Sequence, residues 1–305
     1  MNKFIVTTTI NPPSRALVEF AEMPDWTLIV VGDRKTPHEA FHRLPGITYL
    51  TPEYQEREYP ELSSAIGWDC IQRRNIGFVE AYRRGADVVA TVDDDNIPYD
   101  FWGKDLLIGK YVEMDAYSHP FNLFEPLSVT NRPQLWHRGY PPELLSVRRE
   151  QQYLGKVKAR VLVQADLWDG DPDVDALCRI THENPLVRLE VPGPYTTTSL
   201  TLFNSQNTFI HRSLLPDYMV LAHSDRMDDV WGGILLQLRH KDKLPFIAFN
   251  RSSVYQHRNY HDPTSDLRRE MDGHQDTLAV ITNGEASLSQ KTRKFIRSYH
   301  ACYER

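Results

Sequence analysis

The sequence predicts an α/β protein with a mostly parallel sheet flanked by helices. Residues 4–10 and 26–32 are rich in β-branched and aliphatic side chains, which predicts two strands. Between them Ser14 follows two prolines and can cap a helix over residues 15–22. A strand, a helix and a second strand within about thirty residues form a βαβ unit with a parallel sheet. The apolar run at residues 88–92 fits a strand buried on both faces.

Further elements follow in chain order. Apolar residues at helical spacing predict one helix from residue 63 or 64 to 84, after a polar loop at 51–62. Residues 109–147 are irregular and rich in proline, which is typical of a lid or acceptor platform. Residues 168–175 form an acidic turn without the spacing of a calcium loop. The other predicted strands span residues 47–50, 161–167, 200–211 and 246–249.

The domain prediction is a single catalytic domain at residues 1–275 followed by a helical tail at 276–305. Within the domain, residues 1–108 form a nucleotide-binding half and residues 109–275 a sugar and acceptor half. The whole chain has 305 residues, which suffices for one large α/β domain.

Composition restricts the class of protein. A hydrophobic content of 41% and a charged content of 25% are ordinary for a soluble protein. The net charge of −6 argues against a general nucleic-acid binder. Cys70, Cys178 and Cys302 are too widely spaced for a disulfide framework or a zinc site. The first residues turn polar too early for a signal peptide, and no apolar run has the length of a membrane span. We therefore expect a cytoplasmic protein with no membrane partner.

Three consecutive aspartates follow the buried strand in the segment VVATVDDDN, residues 88–96. Asp93, Asp94 and Asp95 repel one another, so they cannot all ionise without a counter-charge. They also lie at the carboxyl end of a strand, where open α/β sheets bind ligands. Mg²⁺ or Mn²⁺ bridging to substrate phosphates would supply that charge. The alternative is a solvated acidic turn.

Other residues near strand ends are candidates for a nucleotide pocket. Asp33 follows the strand at 26–32 and either accepts hydrogen bonds from a ribose or base, or is only a turn residue. Arg34 follows it and can face phosphate or solvent. The predicted helix at 63–84 carries Arg74 and Asn75 near its middle. Such basic residues usually form a solvated face, but this helix precedes the acidic strand, so an arginine can turn inward.

A second acidic pair opens an apolar helix in the segment DRMDDVWGGILLQ, residues 225–237. N-capping explains one acid at a helix start but does not require both Asp228 and Asp229. The extra carboxylate is a candidate general base or a group that orients an acceptor hydroxyl. Further upstream, the polar residues of 204–207, NSQN, interrupt a strand and indicate an edge beside a ligand.

Histidines late in the chain are candidate metal ligands. His257 and His261 lie in the segment VYQHRNYH, residues 254–261. A single histidine is more often an ordinary polar surface residue. An acidic metal triplet elsewhere in the chain favours the ligand interpretation, and His261 is the preferred one of the two.

The combination of motifs resembles known families. TVDDDN, then RGYP at residues 138–141, then RMDDVWGG at 226–233 resemble the reversibly glycosylated polypeptide family, which includes plant UDP-arabinopyranose mutases. VVGDRKTP at 30–37 and QHRNYHD at 256–262 are similar to STELLO-type glycosyltransferase-like domains. The resemblance implies a GT-A fold, which is Rossmann-like with irregular acceptor-side insertions. It also implies a nucleotide-sugar donor and a divalent cation, Mn²⁺ or Mg²⁺.

The resemblance also implies roles for individual residues. Asp93 and Asp95, with a histidine, would hold the metal of a DxD-type site. Asp228 and Asp229 would lie near the sugar or acceptor as the catalytic acids. The residues expected to contact the nucleotide-sugar are Thr8, Asp33, Arg34, Arg74, Asn75, Asp93, Asp94, Arg138 and Asn207.

Three functions remain open from the sequence. The first is a metal-dependent transferase that moves a sugar, expected from a UDP-sugar, to an unidentified acceptor. The second is a UDP-sugar mutase or self-glycosylating protein. In the mutases an arginine soon after RGYP becomes glycosylated, whereas here Arg148 and Arg149 lie displaced by a few residues. The third is a non-catalytic binding subunit, and association into homo-oligomers is open for all three.

Overall fold

The computed structural model describes residues 1–183, 185–258 and 262–304. In its first half, four parallel strands pair in the order β3-β2-β1-β4. Their bounds are Lys3–Thr9 for β1, Thr27–Gly32 for β2, Ile47–Leu50 for β3 and Val88–Val92 for β4. The helices of this half are α1 (Arg15–Ala21), α2 (His38–His42), α3 (Pro52–Glu58), α4 (Pro60–Ile66) and α5 (Arg74–Arg83).

The second half extends the same sheet. Its strands are β5 (Asn96–Pro98), β6 (Tyr111–Ser118), β7 (Leu123–Phe124), β8 (Gln152–Arg160), β9 (Val163–Gly170), β10 (Tyr195–Thr197), β11 (Leu200–Thr201), β12 (Asn207–His211) and β13 (Ile247–Gln256). Its helices are α6 (Ala176–Thr181), α7 (Asp228–Arg239), α8 (Pro263–Asn283) and α9 (Gln290–His300). The small strands β7 and β11 pair with each other in a separate sheet.

The main sheet continues from β4 in the order β12-β9-β13-β10-β6-β8, with β5 beside β13. The pairings make β1 to β4, β8, β9 and β13 run in one direction, whereas β5, β6, β10 and β12 run in the other. The predicted α/β class with a mostly parallel sheet is therefore confirmed. Every residue of β4 is buried, as expected for a strand covered on both faces.

Strand direction decides what meets at the carboxyl end of β4. Because β12 runs antiparallel to β4, the residues just before β12 lie beside the residues just after β4, and the Asp93 amide donates to the Gln206 carbonyl. Because β13 runs in the same direction as β4, its last residues reach the same edge, where the His257 amide donates to the Asp95 carbonyl. Three distant segments thus converge at one edge of the sheet.

Several local predictions were wrong. The predicted loop at residues 51–62 contains α3 and the start of α4. The single helix predicted at 63–84 is two helices, because Gly67 and Asp69 have positive φ angles of 83° and 59° that no α-helix accommodates. The irregular segment 109–147 contains β6 and β7, and the acidic turn begins only after β9 ends at Gly170.

The C-terminal helices pack on the body of the protein. α8 runs without interruption across residue 275, where the sequence predicted the catalytic domain to end. α9 packs against α4 of the first half and buries Phe295, Ile296 and Tyr299. None of the helices in the described ranges is long and apolar enough to span a membrane.

Candidate active site

A cavity of about 690 Å³ opens at the carboxyl ends of β1 and β4. Its described lining contains five arginines and eight aspartates, so five positive and eight negative charges give a formal excess of three negative charges. Such an excess favours a bound cation. The charged lining residues are Arg74, Arg138, Arg226, Arg258, Arg269, Asp69, Asp93, Asp94, Asp95, Asp173, Asp225, Asp228 and Asp229.

Asp93 is held by a buried arginine. Nη2 of Arg74 lies 2.6 Å from Oδ1 of Asp93, and the Arg74 side chain is 1% exposed. Nη1 of Arg74 donates to the carbonyl of Ser205 at 2.8 Å and to its hydroxyl at 2.9 Å, which fixes the guanidinium against the segment before β12. Burial raises the pKa of Asp93, and the charge of Arg74 acts against that rise.

The other two aspartates of the triplet point to different surroundings. Oδ2 of Asp94 accepts hydrogen bonds from Thr9 at 2.5 Å and from Asn11 at 3.0 Å, which ties it to the end of β1 and to the chain that follows. Asp95 lines the cavity beside the last residues of β13. All three aspartates therefore line the cavity, and Asp94 in addition joins the segments that follow β1 and β4.

These donors fit a particular kind of metal site. In the described ranges, no group of three or more His, Cys, Asp or Glu side chains could hold a metal ion. The carboxylates of Asp93 and Asp95 suit a hard cation, but such an ion would need further ligands from substrate phosphates and water. Mg²⁺ is commonly bound in this way, through one or two carboxylates. The residues thus fit a cation that binds together with a phosphate compound.

The second acidic pair lies at the start of α7, where Arg138 is its main partner. Nη2 of Arg138 donates to Oδ1 of Asp229 at 2.9 Å, while Nε donates to Oδ1 of Asp173 at 2.8 Å. Oδ2 of Asp229 also accepts from the amide of Ser205 at 2.9 Å. Asp228 has a different set, because its Oδ2 accepts from Nε2 of Gln72 at 2.5 Å. Neither acid is the N-cap of α7, which is Met227.

These contacts shift the pKa values of the two acids in opposite directions. Burial and the neighbouring Asp229 raise the pKa of Asp228 to about 7. Burial also acts to raise the pKa of Asp229, but the guanidinium of Arg138 outweighs it and holds that pKa below its ordinary value. A carboxyl group with a pKa near neutrality beside a fixed carboxylate is a pattern found in acid–base sites.

Three residues predicted to contact the nucleotide use their side chains in hydrogen bonds within the protein. Asp33 is 1% exposed and its carboxylate accepts hydrogen bonds from the amides of Asp69 at 3.0 Å and Cys70 at 3.1 Å. Asn75 exchanges hydrogen bonds with both backbone groups of Val220. Asn207 accepts from the indole of Trp102. None of these three side chains lines the cavity.

The remaining predicted residues are divided between the cavity and its surroundings. Thr8, Arg74, Arg138 and the two acidic groups line the cavity. Arg34 is outside it, pairs with Glu56 at 3.3 Å and has a 60% exposed side chain. His257 lines a neighbouring pocket of about 220 Å³ with Asp94 and Asp95. His261 lies outside the described residues.

Other lining residues were missed by sequence reasoning. Gln72 and Trp68 were inside a predicted helix with no feature that indicated a ligand, and Asp173 was assigned to an acidic turn. Ser205 and Gln206 belong to the segment predicted to lie beside a ligand, and both line the cavity. Strand direction, which the sequence did not reveal for β12, explains why this segment reaches the aspartate triplet.

The two arginines that follow RGYP lie away from the cavity, whereas the arginine of RGYP itself lines it. Arg148 and Arg149 do not line the cavity. Nη1 of Arg148 donates to the carbonyl of Leu145. Arg138 is 7% exposed, and its carboxylate partners raise its pKa well above the ordinary value, so it stays a protonated guanidinium.

Comparisons with known proteins point to one group of enzymes. No family model matches the chain. The chain is 24% identical over 257 residues to the probable glycosyltransferase STELLO1 of Arabidopsis thaliana, which covers 77% of this chain and 33% of that protein. STELLO2 of the same plant is 23% identical over the same share. The chain thus spans about a third of the length of these relatives. The predicted likeness to STELLO-type glycosyltransferase-like domains is confirmed.

Solved structures give a weaker likeness. A glucosyl-3-phosphoglycerate synthase of Mycobacterium tuberculosis overlaps with a TM-score of 0.46 and 11% identity, over 95% of this chain and 82% of that one. A complex of that synthase with Mg²⁺ and uridine diphosphate gives a TM-score of 0.43, with 11% identity over 95% and 81% of the two chains. Overlap at this level carries no information about the substrate of the present chain.

Proposed function

We propose that this chain is a glycosyltransferase with a GT-A fold that uses a nucleotide-diphosphate sugar, a UDP-sugar in the first instance, together with Mg²⁺ or Mn²⁺. The observation that carries the proposal is the shared cavity. It contains an aspartate triplet after the buried strand β4 and a second acidic pair at the start of α7. The sequence similarity to two probable glycosyltransferases supports the same activity.

Asp93 and Asp95 would hold the cation, next to the diphosphate of the donor. When bound, the cation would supply Lewis-acid stabilisation of the diphosphate leaving group. Arg74 keeps Asp93 in position through the 2.6 Å ion pair and through its bonds to Ser205. The protein thereby fixes one carboxylate before any ligand binds, which lowers the reorganisation needed when charge develops.

Asp228 is the residue we assign to proton removal from the acceptor hydroxyl. Its pKa of about 7 lets it be a carboxylate at neutral pH and still accept a proton during the reaction. Asp229 is held ionised by Arg138 and takes the amide of Ser205, so it acts as a positioning residue. This assignment holds for a reaction that inverts the anomeric carbon. In a retaining reaction the two acids would orient the sugar.

The transferase is favoured over the mutase and self-glycosylating alternatives. The first two arginines after RGYP, Arg148 and Arg149, lie outside the described cavity lining. Arg138 is buried between Asp173 and Asp229, which leaves its guanidinium protonated and non-nucleophilic. A catalytic role of these arginines therefore has no support in the geometry.

The proposal is tested by turnover with a panel of UDP-sugars and Mn²⁺. Release of UDP, formation of sugar ring isomers and the mass of the protein are followed together. We expect UDP release that depends on the cation. Ring isomers without UDP loss would establish the mutase, and added protein mass would establish self-glycosylation. No binding and no turnover across the panel would overturn the enzymatic proposal.

The site assignment is tested by Asp95→Ala. We expect this variant to lose the cation-dependent part of UDP binding in calorimetry. Asp242→Ala is the matched control, because Asp242 is an exposed aspartate that does not line the cavity. Unchanged UDP affinity with unchanged cation dependence in Asp95→Ala would show that the cation site is elsewhere.

A further inference from the structure

One wall of the cavity is an unbroken stretch of chain, residues 66–72. It runs from the last residue of α4 to the segment before α5, where the sequence had predicted a continuous helix. Trp68 in this stretch is half-buried and is the sole Trp, Tyr or Phe among the described lining residues. Next to it Ile71 is 41% exposed although it is a large apolar residue. The wall therefore presents an aromatic ring and an aliphatic side chain in a cavity whose other described walls are strongly charged.

The stretch is fixed by buried polar groups on its outer side. The carboxylate of Asp33 accepts the amides of Asp69 and Cys70, which holds the left-handed turn at Asp69. Arg73 is fully buried, and its Nη1 donates to the carbonyl of Gly67 at 3.1 Å. The same guanidinium lies 3.6 Å from the centre of the Trp68 ring, so it supports the indole directly.

We propose that Trp68 is the stacking platform for the nucleobase of the donor. This inference rests on the proposed function. The carboxylate of Asp33 already accepts hydrogen bonds from the loop. The loop that Asp33 holds in place, and not Asp33 itself, would therefore contact the nucleoside. A planar indole offers a face to any base, and stacking of this kind tolerates base identity. Trp68 would therefore contribute affinity for the nucleoside part of the donor, whichever base it carries.

The neighbouring guanidinium of Arg34 has a place in this arrangement. It lies 4.6 Å from the centre of the Trp68 ring, and its side chain is 60% exposed. Its ion pair with Glu56 is also exposed and is therefore weak. Arg34 can thus move when a base occupies the ring, whereas the buried Arg73 stays in place. The sequence predicted that Arg34 contacts the nucleotide-sugar, and in the structure Arg34 lies beside the Trp68 ring.

The experiment compares two ligands that differ in the nucleoside. UDP and inorganic pyrophosphate are titrated in the presence of Mn²⁺ against the full chain, its Trp68→Ala and its Trp68→Phe variants. We expect Trp68→Ala to weaken UDP binding about tenfold or more and Trp68→Phe to retain most of it. Pyrophosphate has no base, so its affinity is expected to be equal in all three proteins.

Controls separate stacking from damage to the fold. Phe121→Ala is the matched aromatic deletion, since Phe121 is 54% exposed and does not line the cavity. UDP is also expected to quench part of the tryptophan fluorescence of the native chain, and this part should disappear in Trp68→Phe. Thermal unfolding of each variant checks that it is folded.

Each outcome has a definite meaning. Equal UDP affinity in the native chain and in Trp68→Ala would overturn the platform and leave the proposed function intact. Parallel losses of UDP and pyrophosphate affinity would also overturn it, since they indicate a structural role for Trp68. Binding of pyrophosphate without binding of UDP by the native chain would overturn the proposed use of a UDP-sugar, and the stacking role of Trp68 with it.

Discussion

Asp228 and Asp229 are adjacent in sequence but differ in charge state because of their contacts. Asp229 accepts hydrogen bonds from the Arg138 guanidinium and the Ser205 amide, and both favour its ionised form. Asp228 takes the neutral amide of Gln72 and has Asp229 as a charged neighbour. The pair therefore provides one fixed carboxylate and one carboxyl group that titrates near neutrality.

The titration of Asp228 predicts the pH dependence of transfer. Its pKa is raised from 3.8 to about 7, so the basic form appears only as the pH rises through about 7. We expect the rate of acceptor-dependent transfer to increase through this range. Asp228→Asn should lower that rate by about 10²–10⁴-fold and abolish the inflection. The rate is measured by UDP release over a pH series, with calorimetry of UDP binding as the control.

Stability changes in the opposite direction. A raised pKa in the folded state means that ionising Asp228 costs free energy in the fold. This contribution favours the folded state below the ordinary pKa of 3.8 and is lost as the pH rises toward about 7. If the inflection in the transfer rate persisted in Asp228→Asn, the titrating group would be a residue other than Asp228.

At the scale of elements, α7 carries the acidic pair and must approach the neighbouring backbone closely. A Cβ atom on Gly232 would lie 1.9 Å from the carbonyl oxygen of Met219. Only glycine fits at this contact, because the obstacle is backbone and not the end of a flexible side chain. The WGG part of the acidic motif thus has a packing reason that is separate from its acids.

Gly232→Ala is therefore expected to displace α7. The free energy of unfolding should fall by about 1–3 kcal/mol, as for other overpacked sites. Acceptor-dependent transfer should fall as well, because Asp228 lies in the first turn of the same helix. Urea unfolding and UDP release measure the two effects. Gly193→Ala is the matched control, since a Cβ there meets no atom within 4 Å. Equal stability of both variants would contradict the close approach.

Sequence patterns predicted some elements well and others poorly, for physical reasons. The strand predicted at residues 47–50 and the apolar run at 88–92 agree in their bounds with β3 and β4, because each is a short apolar or β-branched run between polar residues. The helix predicted across residues 63–84 was wrong at its centre. Its apolar spacing continues through Gly67 and Asp69, but the left-handed conformation of Asp69 is stabilised by Asp33, which accepts its amide and is distant in sequence. Contacts of that kind leave no mark in a local pattern.

At the scale of the whole molecule, contacts between distant residues also decide which side chains meet in the site, and local sequence patterns do not show them. The aspartate triplet and the acidic pair were recognisable because each combines acids with an apolar element. Their meeting in one cavity depends on the direction of β12 and on Arg138, which joins Asp229 to Asp173. Trp68 and Gln72 were not recognisable, because their role follows from the broken helix. Asn75 and Asn207 were polar residues near strand or helix ends whose hydrogen bonds are used internally.

The predicted C-terminal tail makes contacts that join it to both halves of the chain. Tyr299 of α9 is fully buried, and its hydroxyl lies 2.7 Å from the carbonyl of Tyr218 and 3.0 Å from that of Leu215. α9 also packs against α4, which is followed by the segment that contains Trp68. These contacts make α9 a part of the cooperative structure, and they predict that the tail cannot unfold independently.

Tyr299→Ala tests this prediction. Removal of a buried aromatic ring is expected to lower the free energy of unfolding by about 3–5 kcal/mol. Tyr299→Phe keeps the ring and should cost only about 1 kcal/mol for the lost hydrogen bond. Arg297→Ala on the exposed face of the same helix is the control and should change stability by less than about 0.5 kcal/mol. Urea unfolding, followed by both tryptophan fluorescence and circular dichroism, should give one coincident transition in every variant. A separate early transition in Tyr299→Ala, with the main transition unchanged, would show that the tail is an independent unit.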